Sequence, residues 1–237
     1  MIRNLLFYCY PVRETIWPWH VDRLLERKSI WNGRRIIVLA LDGRTDLESD
    51  VRARFEPVEA EILVRKNDPS LGEKAHFIDT LSLLKSTRSD EATFYAHAKG
   101  VTRKGPELEA VRSWSSLMYR CCLDFPALIE RRLGQFATVG CLRWNHHYHS
   151  RTGWCWAGTF FWVRHDALFS RNWKDIDQSK YGVEDYPGRH FKIDEGSCLT
   201  MEHVEPVQLY TGTINEQFIK NAAAMLAEEE KLCIPAS

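Results

Sequence analysis

The chain has 237 residues, and Lys plus Arg balances Asp plus Glu at 32 each, so its formal net charge is zero. That length suits one large α/β domain with a sizeable core, while the neutral balance argues against a general nucleic-acid binder, which needs a basic footprint. The seven cysteines include no CxxC pair and read as reduced core thiols of a cytosolic protein.

Met1 leads directly into a strand with no signal-peptide pattern. Residues 5–10 form a nearly continuous apolar run stopped by Pro11, as in a strand buried on both faces. Residues 15–31 read as a helix with Trp19, Leu24 and Leu25 inward, closed by Asn32-Gly33. A second buried strand is expected at 35–41, a short helix at 46–55 and a third strand at 60–65. Strand–helix alternation without hairpin turns predicts parallel strands joined by right-handed crossovers. The following helix, up to about residue 86, presents Leu71, Ala75, Ile78 and Leu81 at helical spacing. Asn67 and Asp68, ahead of it, suit either turn chemistry or hydrogen bonds to a ribose or base.

The run Thr93-Phe94-Tyr95-Ala96-His97-Ala98-Lys99-Gly100-Val101 reads as a central strand ending at a glycine. His97 and Lys99 stand two apart, which in a strand puts both on one face. In a parallel α/β sheet such residues reach the carboxyl edge, where ligands bind. A polar loop with Arg103 follows. Residues 107–122 read as a helix with Val111, Trp114, Leu117, Met118 and Cys121 as core, and a second helix runs from 126 to 133. A strand is expected at 136–142.

Trp144, His146, His147, Tyr148 and His149 then make an aromatic, histidine-rich segment. Imidazoles are common zinc ligands, but no HExxH pattern or cysteine pair accompanies them, and a loop over a ligand explains the composition equally well. Residues 154–164 read as one aromatic strand, in which Gly158-Thr159 implies close backbone approach to a ligand or a bulge. Its longest apolar run, 156–163, is far too short to span a membrane, which leaves peripheral contact open. In Tyr181-Gly182-Val183-Glu184-Asp185, two adjacent carboxylates open a helix. They suit either partners of the helix dipole or a general base. Cys198, His203 and Tyr210 fall in an expected extended segment, and residues 213–231 form an amphipathic helix. Nine Trp, eight Tyr and eleven Phe are enough aromatics both for the core and for stacking a flat or sugar-like ligand.

Taken in order, Phe94-Tyr95-Ala96-His97-Ala98-Lys99-Gly100, Val111-Arg112-Ser113-Trp114, Gly158-Thr159-Phe160-Phe161-Trp162 and Tyr181-Gly182-Val183-Glu184 make the chain resemble bacterial glycosyltransferase-like proteins of the GT-A fold. The likeness spans roughly residues 60–190. It implies a Rossmann-like α/β domain with a mostly parallel sheet: a nucleotide-binding half at 1–100, an acceptor and catalytic half at 101–212 and a C-terminal helix at 213–237. It also implies a cytoplasmic enzyme of polysaccharide biosynthesis that moves a sugar from a nucleotide-sugar donor to a glycan or glycolipid acceptor, without nucleic acid. GT-A enzymes usually hold a divalent metal on an Asp-x-Asp. Here His97-Ala98-Lys99 takes that place, and the nearest acid-x-acid spacing, Glu48-Ser49-Asp50, falls in a helix too early in the chain. No essential metal is therefore expected, although Mn²⁺ or Mg²⁺ stays open. A lysine can neutralise charge on a leaving diphosphate.

The roles implied by the resemblance are these. Lys99 and His97 support the leaving group, and Asp185 or Glu184 serves as base. Asn67, Asp68, Glu73, Arg103, Gly158, Thr159 and His203 bind the donor, while Trp144, Tyr148 and Trp154 shape the acceptor side. Two other classes stand beside this reading: a non-catalytic sugar- or nucleotide-binding module on the same scaffold, and a metal-dependent hydrolase using His146, His147 and His149.

Overall fold

The computed structural model describes residues 1–145 and 152–233. Strands and helices alternate through β1 (Ile2–Cys9), α1 (Trp17–Leu25), β2 (Arg35–Leu41), α2 (Glu48–Phe55), β3 (Glu61–Lys66), α3 (Lys74–Ser82) and β4 (Glu91–His97). Helices α4 (Gly105–Leu123) and α5 (Pro126–Gln135) lead to four short strands, β5 (Thr138–Gly140), β6 (Arg143–Asn145), β7 (Trp154–Trp156) and β8 (Phe161–Arg164). The remainder is α6 (His165–Phe169), α7 (Gly182–His190), β9 (Gly196–Cys198), α8 (Pro206–Tyr210) and α9 (Glu216–Lys231).

The main sheet has seven strands in the order β3-β2-β1-β4-β8-β5-β9, and β6 and β7 form a separate pair. Strands β1 to β4 are parallel, as is the β5–β9 pair. Only β8 runs against its neighbours β4 and β5 among the described strands of this sheet. This is the expected α/β class: a mostly parallel central sheet flanked by helices.

Alternation along the strands builds a core on each face. Leu5, Phe7, Ile37, Leu39, Phe94 and Trp162 face one cluster, shared with α1, α2, α4, α5 and α9. Leu6, Tyr8, Val38, Tyr95, Phe161 and Val163 face the other, shared with α3 and α7. Trp162 is 1 % exposed and its indole N–H donates to the Cys122 carbonyl at 2.8 Å, tying β8 to α4. Burying a side chain of this size contributes about 3 kcal/mol. No helix among the described residues is long and apolar enough to cross a membrane.

Several expected boundaries shift for local reasons. The helix expected at 15–31 ends at Leu25 and gives way to a 3₁₀ turn at Lys28–Ile30. Its inner face is Trp17, His20, Val21 and Leu24, with Trp19 and Leu25 only half-buried. In α3 the inner face is Phe77, Thr80 and Leu81 rather than the stripe through Ala75 and Ile78. The entry turn sets this rotation, because Glu73 points inward to β4 and the residues four, seven and eight positions on follow it. The aromatic stretch 154–164 is two strands, since Gly158 and Thr159 carry φ of +92° and +64° and turn the chain between sheets. The strand expected at 136–142 keeps only Thr138–Gly140. Tyr210 closes a short helix instead of lying in an extended segment.

Candidate active site

The carboxyl ends of β1 and β4 open into a cleft of about 340 Å³ lined by Tyr8, Tyr10, Glu73, His97, Lys99 and Arg103, with Lys180, Tyr181 and Tyr210 across it. Strand β4 ends at His97, so Lys99 stands in the following turn and not on the strand. The turn is tight: Lys99 N–H donates to the His97 carbonyl at 2.8 Å, and Gly100 follows with φ of +86°. A Cβ on Gly100 would sit 2.8 Å from Val111 Cγ1 and strain the left-handed turn as well. His97 and Lys99 thus reach one cleft through a strand end plus a turn, not through strand alternation.

Two contacts fix the Lys99 loop. The ammonium lies 4.5 Å from the Trp114 ring centroid, a cation–π contact worth about 1 kcal/mol. Beneath it, His20 Nε2 donates to the Lys99 carbonyl at 2.8 Å, which leaves Nδ1 to accept from the Tyr119 hydroxyl at 2.9 Å. His20 is fully buried, and burial lowers its pKa to about 3.

His97 Nδ1 lies 2.6 Å from Glu73 Oε2, which also accepts from the Tyr95 hydroxyl at 2.7 Å. Burial pushes the Glu73 carboxyl up. The His97 ring, the two hydrogen bonds and the Lys99 charge outweigh it and hold the carboxyl below its ordinary value. Behind the cleft's Tyr10, Asp42 Oδ2 accepts from the Tyr10 hydroxyl at 2.7 Å and from Asn67 Nδ2 at 2.8 Å, and Oδ1 accepts from the Arg44 N–H at 2.8 Å. Partial burial pushes Asp42 up, but these bonds keep it well below the carboxylate range. Burial and Asp42 push Tyr10 up to about 12.

Glu184 stands in the first turn of α7, just after Tyr181, and Oε1 accepts from the Gly158 N–H at 2.8 Å. Glu184 is half-buried, whereas Asp185 is 1 % exposed. The buried Cys155 thiol lies within range of several of these charges. Burial raises its pKa most, Glu184 and Asp185 raise it further, and Lys99 lowers it. Lysine and both carboxylates therefore act on one side chain.

The other anticipated residues are placed as follows. Asn67 is buried on Asp42, and Asp68 caps its own turn by accepting from Ser70 N and Ser70 Oγ at 2.9 and 2.6 Å. Neither lines the cleft. Gly158 turns toward protein, since a Cβ there would meet Met118 Sδ at 2.8 Å. Thr159 is 2 % exposed beside it. His203 is exposed and pairs with Asn145 Nδ2 at 2.6 Å on the β6 side. Trp144 lies on β6, while Trp154 lines a different pocket with Arg171, Arg189 and Phe191. Tyr148, His146, His147 and His149 lie outside the described residues. Among the described residues no group of three or more His, Cys, Asp or Glu side chains is placed to hold a metal ion.

Tyr8, Tyr10, Lys180, Tyr181 and Tyr210 line the cleft and were not anticipated as site residues. Tyr8 and Tyr10 carry a readable signal: polar tips two apart at the end of a buried strand. Lys180 and Tyr181 belong to a distant loop and reach the cleft only through the tertiary fold.

No known family profile matches the chain, and no curated protein matches it. Solved structures to which it is similar include the following. For HddC from Yersinia pseudotuberculosis the identity is 10 %, with 95 % of this chain and 100 % of that one covered and a TM-score of 0.45. Glucosyl-3-phosphoglycerate synthase from Mycobacterium tuberculosis, solved with Mn²⁺, uridine diphosphate and phosphoglyceric acid, is 12 % identical, with 100 % and 80 % covered and a TM-score of 0.47. For 4-diphosphocytidyl-2C-methyl-D-erythritol synthase the values are 11 %, 95 % and 99 %, and 0.43.

Proposed function

We propose that the chain is a glycosyltransferase that moves a sugar from a nucleotide-sugar donor to a hydroxyl of a glycan acceptor, with the donor diphosphate held by side-chain cations instead of an Asp-x-Asp metal. In this reading one domain carries a nucleotide-binding half, residues 1–100, and a catalytic half, residues 101–212. The observation that carries it is the cleft at the ends of β1 and β4, where Lys99, Arg103, Lys180 and His97 gather beside tyrosine rings. Fixed positive charge in a partly dehydrated cleft stabilises a leaving diphosphate without reorganisation. A divalent ion placed at the end of β4 would meet the Lys99 ammonium, which opposes binding there.

Glu184, half-buried in the first turn of α7 after the cleft's Tyr181, is more accessible than Asp185 for taking a proton from an acceptor hydroxyl. The hydroxyl oxygen then bonds to the anomeric carbon, and the carbon–oxygen bond to the diphosphate breaks with its electron pair on the diphosphate. Lys99, His97 and Arg103 face that charge. The same cleft serves a second reading, a sugar- or nucleotide-binding module, which the burial of Asp185 and the missing Asp-x-Asp favour.

The test is release of nucleoside diphosphate from a panel of UDP-, GDP-, CDP- and dTDP-sugars, with and without chelator. Release from one donor class, indifferent to chelator and lost in Lys99→Ala, is the expected result. Tight nucleotide binding without turnover on any donor or glycan would favour the binding module.

A further inference from the structure

The Glu73–His97 pair gives the cleft a property beyond fixed positive charge. Glu73 comes from the turn before α3 and His97 from the end of β4, so two elements fix the imidazole. With Nδ1 committed to the carboxylate, Nε2 makes no hydrogen bond within the described protein, and the ring lines the cleft. Beside it Tyr8, 8 % exposed, lines the same cleft.

We propose that His97, oriented by Glu73, gates anion binding by its protonation: the cleft takes a diphosphate when Nε2 carries a proton and releases it when that proton leaves. The proposal rests on the reading of the cleft as a diphosphate site. Neutral His97, donating Nδ1–H to Glu73, shows an anion the lone pair of Nε2. The imidazolium shows it an N–H and a positive charge.

The groups facing His97 are Glu73, Tyr95 on its own strand, Lys99 in the next turn and His20 on α1, with the Phe160 ring at 6.1 Å. Tyr8 on β1 is raised by burial first and then by the Glu73 charge. His20 is neutral down to about pH 3. Glu73 is held below its ordinary value, and Tyr8 and Tyr95 are pushed upward, chiefly by burial. Of these groups, His97 presents to the cleft a ring nitrogen that makes no hydrogen bond within the described protein, so a proton gained or lost there changes what an occupant meets.

The test is calorimetric titration of the full chain with methanedisulfonate, a dianion of diphosphate geometry that does not itself titrate over this range. Wild type, His97→Gln and Glu73→Gln are compared from about pH 5.5 to about pH 8.5. Wild-type affinity is expected to fall about tenfold or more as pH rises. His97→Gln should bind weakly with little pH dependence, which separates His97 from the other histidines of the chain. Glu73→Gln should move the fall to lower pH, because the carboxylate no longer favours the imidazolium. Affinity that ignores pH in wild type, or a pH dependence that survives His97→Gln, would overturn the gate while leaving the diphosphate site standing. Failure of wild type to bind either methanedisulfonate or any nucleoside diphosphate at the lowest pH would overturn the site itself.

Discussion

The imidazole of His20 donates to the main-chain oxygen of Lys99 at 2.8 Å, so a fully buried residue of α1 holds the loop that carries the cleft's central cation. The relationship joins core and site in one contact, and it has a pH signature.

Burial takes the His20 pKa from 6.5 to about 3. Between those values the unfolded chain binds a proton that the folded chain does not, so stability rises with pH there. It is complete above about pH 6.5 and is lost as pH falls toward about pH 3. The expected slope from this group is about 1.4 kcal/mol per pH unit. His165, lowered to about 4 by burial, contributes with the same sign. Urea unfolding of His20→Gln across this range should show a shallower acid loss than wild type.

Glu184 and Asp185 are adjacent but differ in burial, and their variants should differ in kind. Glu184→Gln is expected to lower turnover about 100-fold or more with nucleotide affinity unchanged, as for a lost general base. Asp185→Asn should act mainly on stability, because its side chain is almost wholly inside. Parallel turnover and thermal-melt measurements separate the two.

The face of α3 can be tested by truncation. Phe77 is 3 % exposed and packs edge-on against Tyr95 and Tyr186 at 4.9 and 4.8 Å. Phe77→Ala should cost about 3–5 kcal/mol. Ile78→Ala, on a half-buried neighbour, should cost clearly less. Chemical denaturation gives both values.

Gly188 on α7 leaves no room for a side chain, since a Cβ would stand 1.9 Å from the Trp154 carbonyl oxygen. That atom is backbone and cannot swing aside. Gly188→Ala should therefore destabilise the α7–β7 contact by about 2 kcal/mol or more, read as a lower melting temperature.

What was legible in the sequence follows from how local each signal is. Strand β2 was read at its true bounds because an unbroken apolar run sits between Asn-Gly and Asp-Gly. The stripe on α4 was read correctly because Val111, Trp114, Leu117, Met118 and Cys121 dominate it. The face of α3 was misread because its rotation is set by Glu73 reaching His97, a contact 24 residues away. The aromatic run 154–164 hid a turn because Thr159, a β-favouring residue, adopts a left-handed conformation there. The cleft itself was half legible. His97, Lys99, Glu73 and Arg103 share it, but Lys180, Tyr181 and Tyr210 join from segments that only the tertiary fold brings close.

The most direct test of the central claim is calorimetric titration with UDP, GDP, CDP and dTDP, each with and without manganese, on wild type and Lys99→Ala. The account predicts that one nucleotide binds tightly, that manganese leaves its affinity unchanged, and that Lys99→Ala weakens it about tenfold or more. Binding that requires manganese, or that is indifferent to Lys99→Ala, would contradict a diphosphate held by this cleft's own cations.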